Sequence, residues 1–522
     1  MMAMPYLQHL CPVSVFFDSP QASGQIGLHM IGLNPRIFKK LPVSLAVLLL
    51  STTAFSALAA PATDEGARGI EKSFATYLGK AAVEQKIISV KPQGDSYQIS
   101  LDIEKAAANF KAPGFELKMP SWTMLATEQA DGNWAVKSDA FPNLSFKIPN
   151  PDGGFEESIK YENYKFDGIF NPKLMAWMAG KASHDSVSAV LGGKAAGTAK
   201  FGAGQFDMSG TDAGNGAVSG KVRQTMKDMV ESLQVPSPAK DGAPAGKSDL
   251  TIKMAELSGD TDIDGAKNKA ILDLWAAFLA NPTKEALVKN QADIKAKLTA
   301  AMPLWNNVKG TATVKDISVV TPMGSFGVKT FGETIGLSGL VEHGSFQFGI
   351  NFTDLTLPAG LVPAANAPLV PTAMDLDIKI TADGLDRMAK TMIDEADFAS
   401  EKVLPESATM ELMGMAMTAN PKITIAPSHI VAPSMNLTIA GEVATNGLNP
   451  VGKITIDAIG LDKTIAALKE AGKNDPEAQK MVAGLSVARG MAKPGPDGAS
   501  SFVVEINGKT VSVNGMAIPM GK

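Results

Sequence analysis

The chain has 522 residues, 45% hydrophobic and 19% charged, with 49 glycines and 32 prolines; this is the composition of a globular protein of two or three domains, not of a disordered chain. A formal charge of −5 gives no electrostatic footprint for nucleic acid, and one cysteine excludes a disulfide framework and every cysteine-ligated zinc or iron–sulfur site. Five histidines leave little room for histidine-based metal or acid–base chemistry.

The first legible element is an export signal. Arg36, Lys39 and Lys40 precede the apolar run Leu41–Leu50, small residues follow from Ser51 to Ser56, and Ala57-Leu58-Ala59 supplies an A-x-A cleavage pattern. That order is a Sec-type signal peptide over residues 30–59, cut after Ala59, which sends the chain to the periplasm. Left uncut, Leu41 to Ala60 would act as a membrane anchor. Residues 1–29 fit no part of a signal and read as a non-native upstream extension, so Met30 is the expected start. Cleavage removes Cys11, and an exported chain without cysteine must be held together by burial alone. No later segment approaches 18 continuous apolar residues, so no further membrane span is expected.

Residues 60–234 read as a β-rich N-terminal part, with alternating strands at Tyr97–Ile103 and Asn143–Ile148. Tyr164–Asn171 reads as a strand-to-helix corner, and Lys173–Ala179 and Val222–Leu233 as short helices around a glycine-rich stretch at 192–220, either a loop or thin edge strands. Residues 235–249, rich in Pro and Gly, read as a linker to a β-rich C-terminal part at 250–522. Within that part Leu250–Met254 alternates, and Asp260-Thr-Asp-Ile-Asp-Gly265 follows. Asp260, Asp262 and Asp264 match the first half of a calcium loop, with Gly265 for the sharp turn, but the twelfth position is Ile271 rather than a bidentate acid. The bland reading of the same acids is a solvated strand end before a helix. Ile271, Leu274, Trp275 and Phe278 at i, i+3, i+4, i+7 predict that helix over 270–280.

From Gly310 to Leu357 the chain reads as a meander, with turns at Thr321–Gly324 and His343-Gly344. Leu357–Thr372 carries apolar residues between prolines and is expected to lie on the sheet. Strands follow at Asp375–Ile380, Ile423–Ile425, Lys453–Ile456 and Ser501–Ile506, the last turning at Asn507-Gly508 into Thr510–Val513. Two segments repeat, Ile380-Thr-Ala-Asp-Gly-Leu-Asp-Arg387 and Ile456-Asp-Ala-Ile-Gly-Leu-Asp-Lys463. Each joins a strand to a helix, with Gly for the turn and Asp to cap. Met410-Glu-Leu-Met-Gly-Met-Ala-Met417 offers thioethers for Cu(I), or else puts Met413, Met415 and Met417 on one core-facing side of a strand.

The run Leu361–Pro371 leading into Met374–Ile380 and a short helix, the Gly441–Val443 strand, the Gly-Leu-Asp corner at 460–462 and the closing strand Val513–Pro519 carry a resemblance. In that order they resemble the uncharacterised Gram-negative envelope family called domain of unknown function 2125, over residues 300–522, and more weakly the YdgA-like envelope proteins. The resemblance implies an exported, sheet-rich protein and carries no catalytic residue.

Catalytic patterns are thin. Ser237-Pro-Ala-Lys240 fits S-x-x-K but sits in the Pro-rich stretch without S-D-N or K-T-G companions, and G-x-S-x-G, Walker A and dinucleotide fingerprints are missing. His184, His343 and His429 are isolated from one another, and sparse Trp and Tyr argue against sugar-stacking surfaces and the aromatic girdles of a membrane barrel. The expected fold is α+β, β-rich, with large antiparallel meander sheets and short helices inserted at strand–Gly–Asp–helix corners. The expected function is a non-catalytic cell-envelope protein binding a protein partner, or an apolar ligand such as lipid, on a large sheet. The alternatives are a periplasmic hydrolase using paired carboxylates and a calcium-stabilised structural protein.

Overall fold

Strands dominate the computed structural model, which describes residues 61–108, 114–148, 155–193, 196–237, 246–322, 324–363, 366–447, 449–473 and 476–518. The signal segment, Met30, Ala59 and Cys11 lie outside the described residues, as does Lys240 of the S-x-x-K match. The fold is β-rich α+β: 25 strands join one antiparallel sheet, with short helices between them.

The N-terminal part opens with α1 (Asp64–Leu78), capped by Thr63 Oγ1 accepting from Gly66 N at 3.0 Å, then α2 (Lys80–Glu84). Strands β1 (Ile88–Gln93) and β2 (Ser96–Leu101), helix α3 (Ile103–Ala108), and strands β3 (Glu116–Lys118), β4 (Trp122–Glu128), β5 (Trp134–Ser138) and β6 (Leu144–Ile148) follow. Next come β7 (Phe155–Glu162), β8 (Lys165–Asn171), β9 (Ala176–His184), β10 (Ser186–Gly193), β11 (Ala196–Phe201), β12 (Gly204–Gly214), β13 (Ala217–Ser237) and β14 (Gly246–Ala266).

β13 is where the sheet divides. Its first half pairs with β12 and its second half with β11, while β14 pairs along its whole other edge. From β12 one arm runs through β9, β8, β5, β4, β2 and β1. From β11 the other runs through β10, β7, β6 and β3. Both arms and α1 share one buried cluster, in which Ile70, Ile88, Ile99, Trp134 and Val136 meet Leu144, Ile159, Val187 and Ala199. Burying residues of this size supplies roughly 1.5–3 kcal/mol each, the main driving force in a chain without disulfides.

Beyond β14 come α4 (Asn268–Ala280), α5 (Lys284–Lys289), α6 (Gln291–Ala301), β15 (Asn307–Thr321), β16 (Gly324–Ser338), β17 (His343–Thr353) and β18 (Ala373–Asp383). Then follow α7 (Leu385–Glu395), α8 (Glu406–Met417), β19 (Lys422–Val431), β20 (Asn436–Asn446) and β21 (Asn449–Ile459). The chain closes with α9 (Leu461–Ala471), α10 (Pro476–Met491), β22 (Lys493–Pro494), β23 (Ser500–Asn507), β24 (Thr510–Val513) and β25 (Met516–Ile518). These strands extend the sheet in chain order from β14 to β21, then through β23 and β24 to β25.

Helices gather at the two ends of these strands. At one, the helical end, α4–α6 and α7–α8 leave and re-enter the sheet. There α4 is tied to α1 by Tyr77 Oη donating to Asp273 at 3.1 Å, and α6 to α7 by Lys295 Nζ donating to Asp394 O at 2.7 Å. At the far end α9 and α10 pack on Leu437, Ala458 and Phe502. Thr464 of α9 reaches Ser434 there, and Ser434 donates to Pro368 O at 2.8 Å, tying segment 366–372 to the strand ends, while Leu361 is exposed.

Several expectations need correction. Lys173–Ala179 is a turn followed by β9, and Val222–Leu233 is the middle of β13, not helix. Met410–Met417 belongs to helix α8, not to a strand, and Tyr164–Asn171 holds strand β8 with no helix after it. His343-Gly344 opens β17 and follows its turn rather than forming it. The glycine-rich stretch 192–220 forms strands, and β12 there lies inside the sheet between β9 and β13. The strands on either side of the 235–249 stretch are paired, from Val218↔Ala266 to Ser237↔Gly246. Both Gly-Leu-Asp corners form, but Gly384 and Gly460 are themselves the N-caps, with φ of 76° and 87°, and Asp386 and Asp462 sit in the first helical turn.

Candidate apolar binding face

Period-2 strands in antiparallel register place their alternate residues on common faces. Followed through the register, one cross-strand row reads Ile263, Val308, Leu337, Phe346, Ile380, Ile423, Val443, Gly452, Ile506, Val511 and Ile518. Two residues further along, a second row includes Ile335, Phe348, Ile378, Ile425, Ile454, Val504, Val513 and Met516. At about 4.8 Å per strand the first row spans roughly 48 Å. The reverse face is polar: Lys221, Asp262, Lys309, Gln347, Lys379, Thr424, Glu442, Lys453 and Glu505 occupy the neighbouring register positions.

Such a face is normally covered by a second layer. Here it is partly open toward the helical end of the strands: Leu337, Phe346, Ile380, Ile423 and Ile518 are 39–44% exposed, and Ile335 and Met516 46–47%. α9 and α10 reach it only at the far end, near Leu437 and Phe502. From Val308 on β15 to Val511 on β24 each residue of the first row has a paired neighbour strand on both sides. The same face continues across β13 into the N-terminal core, since Val222 aligns with Met208, and Glu231 with buried Ala199.

One irregularity crosses these strands. At a common level, Lys227-Asp228, Ala255-Glu256, Lys315-Asp316, Lys329-Thr330 and Thr353-Asp354 each break the alternation, so that two successive residues lie on the polar side. Asp228, Asp316 and Asp354 adopt left-handed φ of 50°, 51° and 52° there. Each break is matched by an equal number of residues on the neighbouring strand, so the register runs through this level without a shift.

The expected calcium residues are not brought together. Asp260, Asp262 and Asp264 alternate along extended strand β14 on the polar face, not in a loop. Arg223 Nε pairs with Asp260 at 2.9 Å, Lys221 Nζ with Asp262 at 3.1 Å, and Ser219 Oγ donates to Asp264 at 2.8 Å. Along an extended strand the first and third of these carboxylates stand roughly 13 Å apart, and two of the three already hold a protein cation. Among the described residues no group of three or more His, Cys, Asp or Glu is placed to hold a metal.

The acids nearest to a paired arrangement are Glu157 on β7 and Glu231 on β13, both pushed above the usual carboxylate range by burial, Glu157 further by the charge of Glu231. They face the N-terminal interior beside Phe146, Leu191, Ala199 and Ile252, their register partners. His343 pairs with Asp383 at 3.0 Å and His429 with Thr438 at 3.1 Å, both at the surface, while burial holds His184 below the ordinary histidine value. These histidines lie on three separate strands, which do not pair with one another.

Strand-level alternation pointed to Ile378, Ile380, Ile423, Ile425 and Ile454, but not to the face they build with Leu337 and Phe346, because register is a long-range property. No family model matches the chain, and neither a curated protein nor a solved structure matches it.

Proposed function

We propose that this protein is a non-catalytic carrier that holds the acyl chains of a lipid along its apolar sheet face, in the periplasm to which residues 30–59 would direct it. The supporting observation is the apolar row from Ile263 to Ile518, interrupted only by Gly452 and left partly open. A contiguous exposed apolar surface of this extent marks a binding site rather than ordinary surface. The occupant follows from what the face lacks. A protein partner needs a polar rim and roughly one hydrogen bond per 100–200 Å², whereas an alkyl chain needs no donor or acceptor.

The test is native mass spectrometry of protein purified from the envelope without detergent, beside Phe346→Asp and Ile423→Asp, both at partly exposed positions. The expected result is a lipid adduct on the wild type that both variants lose. A bare wild-type mass, with no uptake of a fluorescent fatty acid, defeats the proposal.

A further inference from the structure

Helix α8 carries four of the 26 methionines in the chain, and its two sides treat them differently. Met410, Met413 and Met417 fall within about 60° of one another on the helical wheel and are exposed to 65%, 64% and 49%. Met415 lies roughly opposite Met413, is half-buried, and accepts at Sδ from Thr391 Oγ1 of α7 at 3.9 Å. Gly414, on the outer side, has nothing within 4 Å of where a Cβ would lie, so the helix is open at this level. Among the described residues only Met392 and Met516 approach the exposure of these three, while Met119 and Met175 are buried.

We infer that the outer side of α8 is a reversible oxidation site, whose thioethers take oxygen from hydrogen peroxide ahead of the half-buried methionines, Met410 and Met413 first. The sulfur lone pair attacks one peroxide oxygen. An S–O bond forms, the O–O bond breaks, sulfur is oxidised by two electrons and the other oxygen leaves as water. The product is methionine sulfoxide, polar where the thioether was apolar. No base or metal takes part, so access to sulfur is what separates one methionine from another. α8 grades that access within about two turns. On its outer side the added oxygen meets water. At Met415 it would be driven between α8 and α7, against Thr391. Apolar side chains left largely in water add little to stability, so the fold tolerates their conversion. An exposed sulfoxide is also open to the reductases that return it to thioether. Nothing bound to the sheet face takes part.

The experiment exposes the folded protein to hydrogen peroxide, quenches samples over time and reads the oxygen on each methionine by peptide mass spectrometry. Met410 and Met413 should oxidise several-fold faster than Met415 on the same helix, with Met417 between them. In guanidinium the four should oxidise alike, which assigns the difference to the fold and not to the local sequence. With one oxygen on each of the outer three, the melting temperature should move by no more than about 2 °C, as for changes at a surface. Methionine sulfoxide reductases of both stereospecificities, given a thiol reductant, should return all three to thioether. Replacing Met410, Met413 and Met417 by Leu should remove the fast phase and leave the slower sites unchanged. Met415 oxidised as fast as Met413 in the folded protein, or a fast phase that survives the three Leu replacements, overturns the assignment. A melting temperature that falls in step with the first three oxygens overturns the tolerance of the fold, and with it the site.

Discussion

Glu157 and Glu231 are acids set among apolar neighbours, and their chemistry has a sign that can be measured. Burial raises both above the ordinary glutamate value, and among the described residues no salt bridge reaches either. A carboxyl whose folded value is raised binds its proton more tightly in the folded state. Its contribution is therefore most favourable below the unfolded value, near 4.3, and is lost as pH rises through the folded value. The fold disfavours the ionised form of both groups. Glu157→Gln/Glu231→Gln should raise the melting temperature at pH 7, on the order of 1 °C because both groups keep water contact. The gain should vanish as pH falls toward 4, which thermal denaturation across pH measures. A variant destabilised equally at every pH would show that the carboxylates serve as hydrogen-bond acceptors instead. Tyr161 beside Glu157 is raised too, by burial first and by that charge second, but far above the pH range concerned.

At the scale of elements, the repeated corners differ in one testable respect. Gly384 and Gly460 both adopt left-handed φ, which costs a residue with a Cβ about 1–2 kcal/mol. At Gly384 the added Cβ would meet Arg387 Nη2 at 2.8 Å, the mobile tip of a side chain; at Gly460 it would lie 2.4 Å from the carbonyl oxygen of Ser434. Denaturant titration should therefore show Gly384→Ala costing about 1–2 kcal/mol and Gly460→Ala clearly more. Equal losses would mean that the α9 corner shifts freely. These corners were legible because Gly, Leu and Asp recur at fixed offsets, although the Gly, not the Asp, proves to be the cap. The errors have physical causes as well. In β13 the slip at Lys227-Asp228 places inward residues at Val222, Met226, Met229 and Leu233, which is helical spacing inside a strand. In α8, Met413, Met415 and Met417 alternate like a strand, while Met410, Met413 and Met417 fit a helix equally well, and nothing local decides between them. Asp260, Asp262 and Asp264 likewise satisfy a loop motif and strand alternation together. The apolar rows were invisible for a different reason, since Phe346 meets Ile380 only through a register set 34 residues apart.

Across the whole molecule, burial is uneven. Most of the largest fully buried side chains, Ile70, Ile88, Ile99, Trp134, Val136, Phe170 and Met175 among them, lie in the N-terminal part, with Ile294 on α6 and Leu468 on α9 at the two ends. The strands from β16 to β21 are mostly half-buried on their apolar side, so their stability comes from ladder hydrogen bonds and neighbours in line, as in repeat proteins. A protein so built opens locally where burial is least. Amide exchange of delipidated protein should then be slowest in β5, β8 and α1 and fastest in β16–β21 and β23–β25. Loading an acyl lipid at a hundred times its dissociation constant stabilises the bound state by about 2.7 kcal/mol. Exchange in β16–β21 should slow by up to about a hundredfold, while the N-terminal core, already protected, changes little. The polar reverse face shares the same strands, so a ligand bound there would also slow them; the distinction comes from Ile423→Asp, which should erase the lipid effect while leaving the Lys221–Asp262 and Arg223–Asp260 pairs in place. Protection that is uniform along the sheet without lipid, or unchanged by it, would mean that the exposed row is sealed by something other than an acyl chain.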